Sequence, residues 1–257
     1  MRLDKFLADM GLGSRSALGR EIRDGAATVG GETVRRPNTP VSAQDEVLWH
    51  GERIFYQEFE YYMLNKPAGV LTATEDRRQP TVLDLMIPEN MADAGAGAGG
   101  GGMRRDLFPA GRLDRDTEGL LLITNDGGLA HALLAPKRHV EKVYEAWLDR
   151  PATEEDAARF EEGLRVDAAL TAMPAKLELS VTEPCRVFVT LQEGKFHQVK
   201  RMFEAVGKTV VSLKRLSMGP LRLDPALLPG TFRSLSEAER DALREIARAG
   251  KKADGDA

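Results

Sequence analysis

The sequence predicts an α+β protein built from more than one unit, and three observations carry that expectation. Within the first 36 residues, two short amphipathic helix patterns run into a hairpin signal. Beyond them come strand-like runs at 61–65, 119–124, 141–148 and 185–191, with helix-like stretches at 153–164 and 196–206. The 257 residues exceed one typical domain. A content of 42% hydrophobic and 30% charged residues suits a packed core rather than a fibre or a disordered coil.

Taken in order, Leu3, Phe6, Leu7 and Met10 recur at helical spacing and stop at Gly11 and Gly13. Ser14 offers a cap to a second helix, with Leu18 and Ile22 inward and Arg15, Arg20 and Arg23 outward. ATVGGETV reads as two strand pieces turning at Gly30-Gly31, and 41–49 as a further strand ahead of His50-Gly51. After a short linker, 51–60, the pattern changes: 61–65 is strand-like and Lys66-Pro67-Ala68-Gly69 breaks it into a turn. Residues 92–102 (ADAGAGAGGGG) cannot bury side chains and read as a flexible loop without chemistry. GLLLIT (119–124) suits a strand covered on both faces, followed by a turn at Asn125-Asp126-Gly127-Gly128. The 196–206 helix places Phe196, Val199, Met202, Phe203 and Val206 on one side, with Lys200 and Arg201 near its start. The charged tail after Leu235 reads as a short helix that frays.

No apolar run approaches the roughly 18–20 residues that span a bilayer. Asp4 and Asp9 stand where a signal peptide would be apolar, so a cytoplasmic location without membrane contact is expected. The single cysteine, Cys185, cannot form an internal disulfide, which fits a reducing compartment. Four histidines and one cysteine offer no metal-ligand spacing, and no metal is expected. The formal net charge of −4 hides a local contrast. Residues 1–36 hold seven Lys/Arg against five acids, and 195–222 hold seven against Glu204 alone.

The segment FPAGRLDRDTEGLLLITNDGG (108–128) sets Arg112, Asp114, Arg115 and Asp116 directly against the apolar run. Two carboxylates could serve glycoside hydrolysis, but these lie only two apart and no sugar-stacking groove accompanies them. No glycine-rich turn ends in Lys-Ser/Thr as a phosphate loop requires, and no G-x-S-x-G elbow is present. From these residues alone, surface charge pairing stays open, and Asp114 is not separable from Asp116.

Residues 1–50, through MRLDKFLADMGLGSRSALGREIRDGAATVGGETV, resemble the small RNA-binding domain named after ribosomal small-subunit protein S-four. AGRLDRDTEGLLLITNDG resembles the central motif of pseudouridine synthases. NKPAG (65–69), EKVYEA (141–146) and EGKFHQVKRMFEAVG (193–207) resemble their accompanying motifs, in the right order. With MRLDKF at the start, FHQVKRMF, and LPGTFRSLSEAE near the end, the chain is most similar to the small-subunit ribosomal RNA pseudouridine synthase A family.

That resemblance implies a catalytic domain at 61–236 on a mixed, largely antiparallel sheet, with 237–257 as a C-terminal helix and tail. It implies isomerisation of one uridine in small-subunit ribosomal RNA, within an assembly particle, by a monomer that needs no cofactor. Asp114 is then the aspartate on which the reaction depends, and Lys200 the cation that keeps it ionised, with Arg201 as rival. Tyr144 is the ring that stacks on the flipped uracil and assists proton removal at C5. Arg112 fills the space the extruded nucleotide leaves. Lys66 and Pro67 are architectural, and Thr117 and Gly119 shape the loop carrying Asp114. RNA contacts are expected from Arg112, Arg15, Arg20, Arg23, Lys195, Arg201, Lys214 and Arg215. The alternatives are a sister synthase acting on large-subunit ribosomal RNA and a non-catalytic RNA-binding assembly factor.

Overall fold

In the computed structural model, which describes residues 1–92, 106–166 and 170–255, the opening apolar spacing folds as α1 (Leu3–Asp9) and ends where Gly11 takes φ +74°. Ser14 caps α2 (Arg15–Asp24), its hydroxyl accepting from the Ala17 N–H at 3.3 Å. Gly30 and Gly31 both take positive φ, as a tight two-residue hairpin turn demands, between β1 (Ala27–Val29) and β2 (Glu32–Val34). The expected strand at 41–49 shortens to β3 (Val47–Trp49). Ahead of it Asp45 accepts from the Ser42 N–H and hydroxyl, at 2.9 and 2.8 Å, and closes a turn instead. Part of the stretch read as a linker is β4 (Glu52–Ile54), antiparallel to β3. These four strands, in the order β2-β1-β3-β4, and the two helices enclose Leu3, Phe6, Leu7, Leu18, Ile22 and Val47.

The chain divides into two compact units, the first holding Met1–Glu60 and the second Tyr61–Ala92 with Pro109–Ala257. The glycine-rich stretch lies outside the described residues from position 93 to 102. The second unit begins with β5 (Tyr61–Lys66), buried at every position. A two-residue strand, β6 (Phe108–Pro109), leads to the loop that carries Asp114, and β7 (Glu118–Thr124) follows as the doubly covered strand. The turn expected at 125–128 is a helix start: Asp126 accepts from the Leu129 N–H at 2.9 Å and caps α3 (Gly127–Leu134).

Next come β8 (Lys142–Leu148) and α4 (Glu154–Glu162), the latter begun by a capping box of Thr153 and Asp156. The short pair β9 (Leu164–Arg165) and β10 (Thr171–Ala172), then β11 (Lys176–Leu179), were not foreseen, and neither was β6 above. After them come β12 (Arg186–Leu191), α5 (Gln198–Ala205), β13 (Val210–Met218), β14 (Leu221–Arg222) and β15 (Phe232–Ser234), of which β13, β14 and β15 were likewise not foreseen. The tail is a longer helix than expected, α6 (Glu237–Gly255), docked at its start where Arg233 donates to both Glu239 carboxylate oxygens at 2.9 Å.

The sheet runs β11-β12-β8-β13-β7-β5-β15, mixed and largely antiparallel, with β13 and β7 parallel. The long strand β13 organises it. Arg215 on β13 stands opposite Gly119 on one side and Tyr144 on the other. The exit of the Asp114 loop and the middle of β8 are thereby held two strand spacings apart, about 10 Å.

Candidate active site

Asp114 sits on a loop tied down from below. Lys66, at the end of β5, has no exposed surface, and its ammonium donates to the carbonyls of Pro67, Arg115 and Thr117 at 3.0, 3.1 and 2.9 Å. Burial pushes its pKa down to about 8, against the opposing pull of Asp116, Glu118 and Asp114. The turn after Lys66 adds three more ties. The Gly69 N–H donates to the Arg115 carbonyl at 2.8 Å, and Arg115 Nε returns a bond to the Gly69 carbonyl at 3.2 Å. The Thr72 hydroxyl donates to the Leu113 carbonyl at 2.8 Å. Gly119 then passes so close to β13 that a Cβ would lie 2.3 Å from the Arg215 carbonyl oxygen, with φ at +99°.

The second half of the site comes from α5. Residues 193–198 are pinned by Gln198, whose Oε1 accepts from the Lys195 N–H at 2.9 Å and whose Nε2 donates to Glu193. Glu193 also holds the Lys195 ammonium at 2.9 Å and accepts from the Met173 N–H. Burial opposes the charge on Glu193, but these bonds outweigh it and hold its carboxyl below the usual range. Below α5, Phe203 and Phe160 pack ring to ring, with centroids 5.0 Å apart. Gln198 had no assigned part in the sequence, since a lone polar residue beside a helix start carries no periodic signal.

This scaffold sets Lys200, in the first turn of α5, 3.1 Å from Asp114 Oδ2 and 2.5 Å from Asp116 Oδ1. Burial disfavours the ammonium, but the bonds to Asp116 and Asp114 prevail and raise its pKa. The Lys200 bond in turn lowers that of Asp116. The two carboxylates differ in surroundings. The Asp114 side chain is 24% exposed and lines a pocket together with Tyr144, Thr117, Leu191 and Leu213. The Asp116 side chain is 74% exposed and outside that lining. Arg112, Lys195 and His197 also line the pocket, with His197 Nε2 at 3.6 Å from Asp114 Oδ1. The arrangement sets a carboxylate and an ammonium 3.1 Å apart at the wall of a pocket that Tyr144 also lines.

Several expected RNA contacts fall elsewhere. Arg215 is 3% exposed, because its strand position turns it inward, and its Nε donates to the Leu120 carbonyl at 2.8 Å. Leu213 and Arg215 share the Tyr144 face, so alternation turns Lys214 to the opposite side of the sheet. Lys208 is paired with Asp156 at 2.6 Å. The basic 195–222 segment is therefore no continuous stripe. Lys195 also donates to the Thr171 carbonyl at 2.7 Å, and Arg201 Nη1 donates to the Phe196 carbonyl at 3.2 Å. Phe196, expected on the inner side of the helix, is 69% exposed because α5 starts only at Gln198. In the first unit Arg15 reaches Asp4 at 3.1 Å, and Arg20 and Arg23 are exposed on α2.

The chain is similar to known proteins over most of its length. Residues 60–205 match the family described as RNA pseudouridylate synthase, and residues 1–47 match the S4 domain. A Bacillus subtilis (strain 168) protein named as an uncharacterized RNA pseudouridine synthase is 47% identical over 248 residues, covering 95% of this chain and 99% of that one. The ribosomal small subunit pseudouridine synthase A of Escherichia coli (strain K12) is 41% identical over 242 residues, covering 93% and 98%. A solved crystal structure described as a pseudouridylate synthase matches at 38% identity and a TM-score of 0.61, over 95% of this chain and 99% of that one.

Proposed function

The chain belongs to the RNA pseudouridylate synthase family, and from that premise we propose that it converts one uridine of small-subunit ribosomal RNA to pseudouridine. The observation that carries the site assignment is the Asp114 carboxylate in the pocket wall, 3.1 Å from the Lys200 ammonium and beside the Tyr144 ring. In the reaction the bond from N1 to the ribose breaks, a bond from C5 to the ribose forms, and the proton leaves C5 while N1 gains one. Atoms and electrons balance without water, an oxidant or a reductant.

Asp114 supplies the anion, which adds to the nucleoside or accepts its proton, and both routes need it ionised and rigidly held. Lys200 sets its ammonium 3.1 Å from the Asp114 carboxylate and fixes it in place. Tyr144 stacks on the flipped uracil and its hydroxyl assists removal of the C5 proton. Arg112, exposed at the pocket wall, occupies the space the extruded nucleotide leaves and contacts phosphate. The choice of small-subunit RNA is supported by the name and the 41% identity of the Escherichia coli relative. The S4 match, with Arg20 and Arg23 exposed on α2, supports RNA binding by the first unit. We place the protein in the cytoplasm as a monomer acting on an assembly particle without a cofactor. Among the described residues no helix is long and apolar enough to cross a membrane.

Carbodiimide mapping of unmodified small- and large-subunit ribosomal RNA, bare and partly assembled, tests this with wild type and Asp114→Asn. The expected result is one new stop in the small-subunit RNA with wild type only, while Asp114→Asn binds RNA within a few-fold of wild type. A stop confined to large-subunit RNA overturns the substrate. No stop with tight binding retained overturns the enzymatic assignment in favour of an assembly factor.

A further inference from the structure

Phe196 carries its ring 69% exposed, immediately beside the pocket-lining His197. A single exposed apolar ring is ordinary on any protein surface; the setting of this one is not. Its ring stacks on that of His197 with centroids 3.8 Å apart and planes at 19°. His197 holds a left-handed backbone, φ +50°, unfavourable for a residue with a side chain, and this keeps the pair ahead of α5 rather than within it. Both flanks are fastened: Arg201 Nη1 donates to the Phe196 carbonyl at 3.2 Å, and the Lys195 N–H donates to Gln198 Oε1 at 2.9 Å.

His197 is also 3.6 Å from Asp114 through Nε2, so the stack starts at the wall of the site and leads outward. Arg112, exposed in that wall, supplies positive charge beside it, whereas the Lys195 ammonium is paired with Glu193. The result is a fixed aromatic surface, backed on one side and exposed to solvent, next to a pocket with cationic residues in its wall. That combination suits single-stranded RNA, whose bases stack on rings while its phosphates follow the charge.

We propose that Phe196, backed by His197, is the stacking platform for the nucleobase adjacent to the target uridine; this rests on the RNA-modifying assignment of the neighbouring pocket. When the uridine leaves its stack, its neighbour loses a partner, and a ring already fixed in place replaces it without further ordering. Every base has a π-face, so Phe196 positions the strand and does not read its sequence. It is a positioning residue, and its effect falls on binding of substrate and transition state alike, hence on KM rather than kcat.

The test is multiple-turnover kinetics on a small-subunit ribosomal RNA transcript, scored by carbodiimide stops, with Phe196→Ala, Phe196→Leu and Phe196→Trp. Alanine and leucine are expected to raise KM by roughly ten-fold with kcat within about two-fold, while tryptophan keeps the wild-type KM. Leucine that performs like tryptophan would reduce the ring to an apolar contact and overturn the platform. So would an unchanged KM in the alanine variant, or a fall in kcat alone. Filter binding of the same transcript to Asp114→Asn, with and without Phe196→Ala, reads the platform without turnover. Absence of any wild-type stop thus counts against the substrate assignment, and equal affinity of the two binding variants counts against the platform.

Discussion

Replacing Lys66 by methionine removes a charge from beneath the active-site loop while keeping a side chain of similar length. Three carbonyls, those of Pro67, Arg115 and Thr117, lose the donor they now share at 2.9–3.1 Å. The Arg115 carbonyl keeps the Gly69 N–H, and each of the other two acceptors left unpaired costs about 1–3 kcal/mol. Against this, removing an ammonium with no exposed surface returns several kcal/mol of desolvation. The two sums nearly offset, and the expected net loss of stability is only about 2 kcal/mol, read as a lower urea midpoint. Activity is expected to suffer far more. The lost bonds fix the segment between Arg115 and Thr117, directly after Asp114, and a displacement of about 1 Å at a reacting group costs on the order of 10²-fold in rate.

The same group gives a pH signature. The folded value for Lys66, about 8, lies below the 10.5 of the free side chain, so between these pH values the unfolded chain holds the proton and the folded chain does not. The stability contribution of this group therefore rises with pH across that window. The clamp meanwhile weakens, since a neutral amine has two hydrogens for three carbonyls. Single-turnover pseudouridine formation should decline above about pH 8 in wild type, and Lys66→Met should lack that step. A variant with wild-type kcat and an unchanged pH profile would refute the clamp.

Two further substitutions probe the site and its support. Lys200→Met should lower kcat by about 10²-fold or more with little effect on KM, since it strips the cation from a partly buried carboxylate. Asp116→Asn should change kcat by less than about three-fold, because that carboxylate is 74% exposed; steady-state kinetics on the RNA transcript compare the two. Gly119→Ala should destabilise the protein by about 2–6 kcal/mol, from backbone strain at φ +99° and the clash with the Arg215 carbonyl. Urea denaturation measures it, and a loss below about 1 kcal/mol would mean β7 and β13 can part freely.

Local patterns were legible where a few neighbouring residues decide the outcome. The Ser14 cap and the Gly30-Gly31 hairpin depend on side chains within three positions of the backbone they serve. The buried run 119–124 is a continuous apolar stretch, and its strand follows from that alone. Errors arose where short polar sequences have two local solutions. Asn125-Asp126-Gly127-Gly128 suits a turn, yet the Asp126 cap starts a helix there, and that helix buries Leu129 and Leu133 and packs on α6, a partner more than a hundred residues away in the chain. The boundary of α5 went wrong by two residues, which moved Phe196 from the core to the surface.

By itself, the sequence determined the α+β class, the order of the motifs and the family, because these reside in residue types at fixed short spacings. Choosing among the charged residues was a different matter. Asp114 and Asp116 are equivalent as neighbours in a string, and they part company only when the loop turns one towards a pocket and the other towards solvent. Lys200 lies 86 positions from Asp114 along the chain and 3.1 Å away in space. Lys214 and Arg215 look like one basic patch in sequence, but strand alternation sends them to opposite faces of the sheet. Charge in a sequence has a sign but no direction; burial and partner geometry, which set what a charge can do, exist only once distant segments are packed together.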